Sequence, residues 1–123
     1  MITPRFILLY VENPAVSARF YEFLLERKPV EESPTFALFV LEGGYKLGLW
    51  SRHTAEPAAQ ATGGGTELAF PVESAEQVDA LFADWSALGL TMAQPPTELD
   101  FGRTFVALDP DNHRLRVFHP SLS

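Results

Sequence analysis

Side chains that make and break bonds are scarce in this chain. Its three histidines are His53, His113 and His119. No two have metal-ligand spacing, and none sits beside a serine in a nucleophile elbow. Cysteine is absent, which excludes disulfides, thiolate zinc sites and cysteine nucleophiles. Gly63, Gly64 and Gly65 form no phosphate loop, because neither a Lys-Ser/Thr ending nor a preceding buried strand is present. His53 reads as a linker residue and His113 as a turn residue, whereas His119, at the end of the last strand, has reach toward a ligand. The acidic Glu31-Glu32 reads as solvated surface, and Asp100 is a candidate for meeting a ligand amine. What remains is aromatic and ionic: ten Phe, three Tyr and two Trp, with nine Lys or Arg and sixteen Asp or Glu. Residues of these types bind by stacking and ion pairing.

Composition narrows the classes further. The chain has 123 residues, 46% of them apolar and ten of them Phe, enough to bury a core as one domain. No apolar run approaches the length of a membrane span, and residues 1–11 lack the basic start and cleavage site of a signal peptide. A cytoplasmic protein with no membrane partner is expected. The net charge of −7 argues against nucleic acid as the main partner, because phosphate binding needs a cationic patch. It leaves a small ligand open, since a local pair of arginines can oppose the global sign.

The elements that hold these residues follow from the hydrophobic pattern. Residues 5–11, RFILLYV, predict a strand covered on both faces. Asn13 and Pro14 start a helix as N-cap and first helical residue. Val16, Phe20, Phe23 and Leu24 give it an apolar face, Arg27-Lys28 sits in its last turn, and Pro29 ends it. A weak strand at 29–32, a strong one at 35–41, a turn at 42–44 and a return at 45–50 follow. Residues 52–65 read as a linker. Residues 66–72 begin a second series: a strand, then a helix with Ser74 and Gln77 as capping box, closed by Gly89 at C′. Residues 91–94 predict a weak strand and 95–102 a loop. A hairpin of 104–108 and 114–119 around the turn Asp109–Asn112 ends the chain.

The order is βαβββ twice. Val11-Glu12-Asn13 leads into a helix carrying Phe20-Tyr21. Phe101-Gly102-Arg103 is followed by Asp109-Pro110-Asp111-Asn112-His113, with Asn112 where a left-handed residue is needed. This pattern resembles the vicinal oxygen chelate superfamily of glyoxalases, bleomycin resistance proteins and extradiol dioxygenases over essentially the whole chain. Leu49-Trp50-Ser51, Glu67, Phe101 to Phe105, and Asp109 through Val117 are similar to stretches of its phenazine-antibiotic-binding resistance proteins. The resemblance implies an α+β fold of two βαβββ modules, about 1–51 and 66–120, whose curved mixed sheets form a concave cup in a single domain spanning 1–123.

Enzymes of that superfamily hold a divalent metal at four positions, which match Phe6, Gly48, Glu67 and Arg116 here. Phe6 and Gly48 carry no ligand atom, and Arg116 is a permanent cation without a lone pair to give. No metal and no cofactor are therefore expected. Strand alternation from these positions turns Phe6, Leu8, Tyr10, Gly48, Trp50, Glu67, Ala69, Pro71, Arg114, Arg116 and Phe118 toward the cup. It turns Ile7, Leu9, Val11, Leu47, Leu49, Leu68, Phe70, Val72, Leu115 and Val117 toward the core.

Such a cup suits a flat aromatic ligand bearing a carboxylate. Trp50 is its stacking platform or, alternatively, a partly buried core residue. Phe39 faces Trp50 or is ordinary core, and Ser51 gives a hydrogen bond beside Trp50 or begins the linker. Glu67 and Arg116 pair with each other, or Arg116 receives the ligand carboxylate. Phe101 and Arg103 form a rim, or a simple turn with a solvated arginine. The function expected is sequestration of a phenazine-like antibiotic, and the resemblance implies a homodimer with each of its two sites built from both chains. The alternatives are a metal-dependent enzyme of the same superfamily, and a regulatory module whose cup is filled by its own side chains.

Overall fold

Asn13 and Ser74 each open a helix behind a strand, and each does so through its own side chain. Asn13 Oδ1 accepts the N–H of Ala15 at 3.0 Å, with Pro14 in the first helical position. Ser74 Oγ accepts the N–H of Gln77 at 3.1 Å, and Gln77 Oε1 accepts in return from the N–H of Glu73 at 2.7 Å. The capping box therefore forms with its return bond one residue upstream of the cap.

The computed structural model describes residues 2–121. Met1, where the first module is expected to begin, lies outside the described residues, as do Leu122 and Ser123. The elements are β1 (Phe6–Val11), α1 (Pro14–Leu25), β2 (Glu31–Ser33), β3 (Phe36–Val40), a 3-10 turn (Glu42–Gly44) and β4 (Lys46–Ser51). There follow β5 (Glu67–Pro71), α2 (Ala75–Ala87), β6 (Thr91–Leu99), β7 (Gly102–Leu108) and β8 (Arg114–Pro120). The chain divides after Gly63 into two compact units. Each holds one four-stranded mixed sheet with the same topology, β1-β4-β3-β2 and β5-β8-β7-β6. In each, the first and last strands run parallel and the other pairs are antiparallel.

In the first unit α1 ends earlier than its sequence suggests. Glu26 takes a left-handed φ of 53°, so Arg27 and Lys28 lie beyond the helix. Its inward face is Pro14, Ser17, Ala18 and Tyr21. Of the expected stripe, Val16 and Phe23 face solvent, Phe23 71% exposed, while Phe20 and Leu24 are half-buried. Small Ser17 and Ala18 let the helix lie close against β2, β3 and β4, where Tyr21 is wholly buried. Because β1 is the sheet's edge strand, Ile7 is 40% exposed rather than core. Leu9, Val11, Phe39, Leu47 and Leu49 make up the core under the helix.

In the second unit Trp85 of α2 is buried edge-on to Phe70 and Phe105, at ring distances of 5.9 and 5.4 Å. β6 continues through Pro95 and Pro96, where a loop was expected. It is an edge strand with register shifts around Gln94, so the prolines interrupt no inner ladder. The turn after β7 is held by buried Asp109. Its Oδ1 accepts the N–H groups of Asp111 and His113, both at 2.8 Å, and its Oδ2 meets Nδ1 of His113 at 2.8 Å. Asn112 has the expected left-handed φ, 67°. Among the described residues no helix is long and apolar enough to cross a membrane.

Gly102 opens β7 with φ 135°, and a Cβ there would lie 2.0 Å from the His119 carbonyl oxygen. Gly102→Ala should therefore lower unfolding free energy by about 2 kcal/mol or more. Gly65→Ala, with open space around it, should leave the urea midpoint unchanged. Equal midpoints for the two variants would contradict this account.

Candidate functional site

In the first unit, pairing sets which side chains share a face. Leu8 lies opposite Gly48 and Tyr10 opposite Trp50 across β1 and β4. Leu38 lies opposite Gly48 and Phe36 opposite Trp50 across β3 and β4. Phe6, Leu8, Tyr10, Phe36 and Trp50 thus project from the face that α1 leaves uncovered. Gly48 makes room among them: a Cβ on it would lie 2.7 Å from Leu8 Cδ2, 2.9 Å from Phe6 Cε1 and 3.0 Å from Phe36 Cζ. The Tyr10 and Trp50 rings are 6.3 Å apart and tilted by 43°. Phe6 is 47% exposed, so the platform is open to solvent.

Two expected members are elsewhere. Phe39 pairs with Leu47, on the opposite face, and is wholly buried beneath the helix. Of its two readings Phe39 follows that of ordinary core, and Phe36, three residues earlier, takes the position beside Trp50. Ser51 has the parity of Leu49 and is buried. Its Oγ accepts from the His53 N–H at 3.2 Å, and its carbonyl accepts from the N–H groups of Thr54 and Ala55. It turns the chain after β4 and does not join Trp50. His53 meets Glu12 through Nε2.

In the second unit Glu67 and Arg116 pair. Arg116 Nε donates to Glu67 Oε1 at 2.8 Å and Nη2 to Oε2 at 3.0 Å, a bidentate fork. Its Nη1 donates to Thr104 Oγ1 at 3.2 Å. The guanidinium carbon stands 5.7 Å from the centre of the Phe101 ring, which in turn meets Phe118 edge-on at 5.9 Å. Arg114 Nε lies 2.9 Å from Glu67 Oε2, but its N–H is not aimed at that oxygen, so this contact is charge attraction without a hydrogen bond. The hydrogen bonds from Arg116, and then the charges of Arg116 and Arg114, hold the Glu67 carboxyl below its ordinary value of 4.5 against a desolvation that would raise it. Beside the pair is a cleft of about 420 Å³ whose lining includes Gln94, Leu99, Leu108, Asn112, Arg114 and Arg116.

Arg103 and His119 do not reach this face. Arg103 Nε donates to Asp79 Oδ1 of α2 at 2.7 Å, and Nη1 lies 3.5 Å from Glu98. The His119 ring meets the Val72 carbonyl through Nδ1 at 3.1 Å. Both have the parity of buried Phe105 and Val117, which face the helix. Of the expected site residues, the structure groups Phe6, Tyr10 and Trp50 in the first unit, and Glu67, Phe101 and Arg116 in the second. Phe36, Thr104 and the role of Arg114 were missed. Arg114 shares the parity of Arg116, a signal present in the sequence, but Phe36 needs the hairpin register.

The residues at the family's metal positions do not fit a metal. Phe6 and Gly48 have no donor atom, and Arg116 occupies both oxygens of Glu67. Among the described residues no group of three or more His, Cys, Asp or Glu side chains is arranged to hold one.

Two mixed four-stranded sheets, each from one βαβββ unit with its helix on one face, define a tandem α+β fold of the glyoxalase type. Residues 4–117 match the Glyoxalase/Bleomycin resistance protein/Dioxygenase superfamily, and the chain belongs to it. It is 34% identical over 120 residues to the phenazine antibiotic resistance protein EhpR of Enterobacter agglomerans, covering 94% of this chain and 91% of that protein. It is also similar to protein ATC0852 of Agrobacterium tumefaciens, known from a solution NMR structure. The identity there is 58% and the TM-score 0.92, over 99% of this chain and 100% of that one. A glyoxalase-related enzyme from Fulvimarina pelagi shares the fold at 22% identity, with a TM-score of 0.83 over 97% of this chain and 88% of that one.

Since the Glu67 carboxyl is lowered on folding, it stabilises the protein above pH 4.5, and that contribution fades as pH falls below 4.5. Glu67→Gln should cost about 1 kcal/mol at pH 7. The gap to wild type should shrink in urea melts between pH 5 and about pH 3. Glu12, lowered chiefly by its hydrogen bond to His53, acts in the same range, so the difference between the two profiles isolates Glu67. A gap that is constant with pH would contradict the assignment.

Proposed function

We propose that the protein binds and sequesters a planar aromatic, phenazine-like antibiotic without a metal, and thereby confers resistance. The observation that carries this reading is the donor set at the four family metal positions. There, one pair is a ring over a glycine and the other is a carboxylate spent on an arginine. Such a set has no Lewis acid to hold and no free base, whereas the open rings of Phe6, Tyr10, Phe36 and Trp50 offer stacking. Each ring contact contributes on the order of 1 kcal/mol beyond burial. The relation to EhpR, over 94% of this chain, supports a phenazine as the ligand class.

Sequestration protects by mass action, so the protein must be abundant relative to the toxin and its Kd must lie below the harmful concentration. We read it as a cytoplasmic homodimer whose two sites each draw on both chains. Its partners are then a small aromatic ligand and a second copy of itself, with neither nucleic acid nor membrane.

Native mass spectrometry of freshly purified protein tests this. The expected species is a metal-free dimer that takes up one phenazine-1-carboxylate per chain. Trp85 is buried in the second unit's core, so ligand quenching of fluorescence should come from Trp50. Trp50→Ala should weaken binding about tenfold or more. A stoichiometric divalent ion, or turnover that depends on one, would overturn the proposal.

A further inference from the structure

We infer that Arg114, rather than Arg116, receives the anionic group of the ligand, and that the protein selects planar aromatics carrying a carboxylate over neutral or cationic ones. This rests on the proposed binding of a planar aromatic ligand.

Arg116 is already committed. Its Nε and Nη2 hold both oxygens of Glu67, its Nη1 holds Thr104, and its guanidinium carbon lies 5.7 Å from the centre of the Phe101 ring. Moving it onto a ligand would break a bidentate pair and strand Glu67. Arg114 is in the opposite condition. Its closest charged neighbour is Glu67 Oε2, 2.9 Å from Nε and not hydrogen-bonded to it. Among the described residues its two terminal nitrogens have no hydrogen-bond partner. Its side chain is 42% exposed, so those donors are accessible. A guanidinium with a free edge is the natural seat for a planar carboxylate.

Charge and shape agree. Two guanidinium groups face one carboxylate here, so the group carries one excess positive charge in a chain of net charge −7. Glu67, gripped by Arg116 and neighboured by Arg114, has no attraction left for a ligand cation. The adjoining cleft of about 420 Å³ is within the usual size for small-molecule sites. Leu99 and Leu108 give it apolar wall, and Gln94 and Asn112 add neutral amides to its lining.

The test is a fluorescence and calorimetric titration of the full chain with three probes of similar shape: phenazine-1-carboxylate, phenazine and N-methylphenazinium. Wild type should bind the carboxylate tightest and the cation weakest. Arg114→Gln should weaken carboxylate binding about tenfold while leaving phenazine within about twofold. Arg114→Lys, which keeps the charge and loses the planar fork, should fall between. Arg116→Met should lower stability through Glu67 yet keep the preference for the carboxylate. If Arg114→Gln leaves that preference intact, or Arg116→Met alone abolishes it, the assignment to Arg114 is wrong while aromatic binding stands. If wild type binds none of the three rings, the binding proposal itself fails and this inference falls with it.

Discussion

In each unit the first strand runs parallel to the last, and the candidate site hangs on that pairing. The register places Phe6 opposite Lys46 in one unit and Glu67 opposite Arg114 in the other. Gly48 and Arg116 each lie two residues further along, on the same face. Side chains related by this diagonal are within reach of one another when one is long or aromatic. One diagonal is filled by a phenyl ring leaning over a glycine, the other by a carboxylate gripping a guanidinium. The same backbone geometry thus carries two chemistries, one apolar and one ionic.

The ionic diagonal is more than surface decoration. Exposed single salt bridges contribute little, because they cost side-chain entropy and are screened. Here the Arg116 side chain is only 15% exposed and is fixed by a carboxylate, a hydroxyl and an aromatic ring. Thr104, which Arg116 meets, donates its own proton to the Val117 carbonyl at 2.8 Å, so its oxygen is oriented to accept. The pair therefore ties β5 to β8 and, through Thr104, to β7. A rigid pair of this kind sets the local field, while Arg114 beside it touches Glu67 by charge alone.

Most strands could be read from sequence because each carries its own signal: β-branched and aromatic runs, alternation, and turn residues at fixed offsets. Both N-caps and the left-handed Asn112 were readable for the same reason, since their chemistry is local. What failed depended on a partner. α1 has an aromatic stripe at Phe20 and Phe23 and a small-residue stripe at Ser17 and Ala18. Only closeness of approach to the sheet decides that the small one turns inward. Phe39 and Phe36 differ by an odd number of positions, so strand alternation puts them on opposite faces. Choosing between them needs the register through the 3-10 turn at Glu42–Gly44. Arg103 and Ser51 each sit one step from a residue on the uncovered face, and that parity sends both side chains the other way. Pro95 and Pro96 read as loop because sequence does not reveal that β6 lies at an edge.

Gly48 ties the missing metal ligand to the aromatic platform. A ligand side chain at this position would begin with a Cβ within 3.0 Å of atoms from Leu8, Phe6 and Phe36. Those rings and methyls would have to move before any donor atom could be presented. Conversely, with hydrogen at this position the three side chains close over the strand, and the surface beside Trp50 is ring and methyl carbon. The glycine is therefore not a neutral gap in a metal site. It lets the tips of Leu8, Phe6 and Phe36 come together here, and a side chain at 48 would have to displace those flexible ends before it presented a donor.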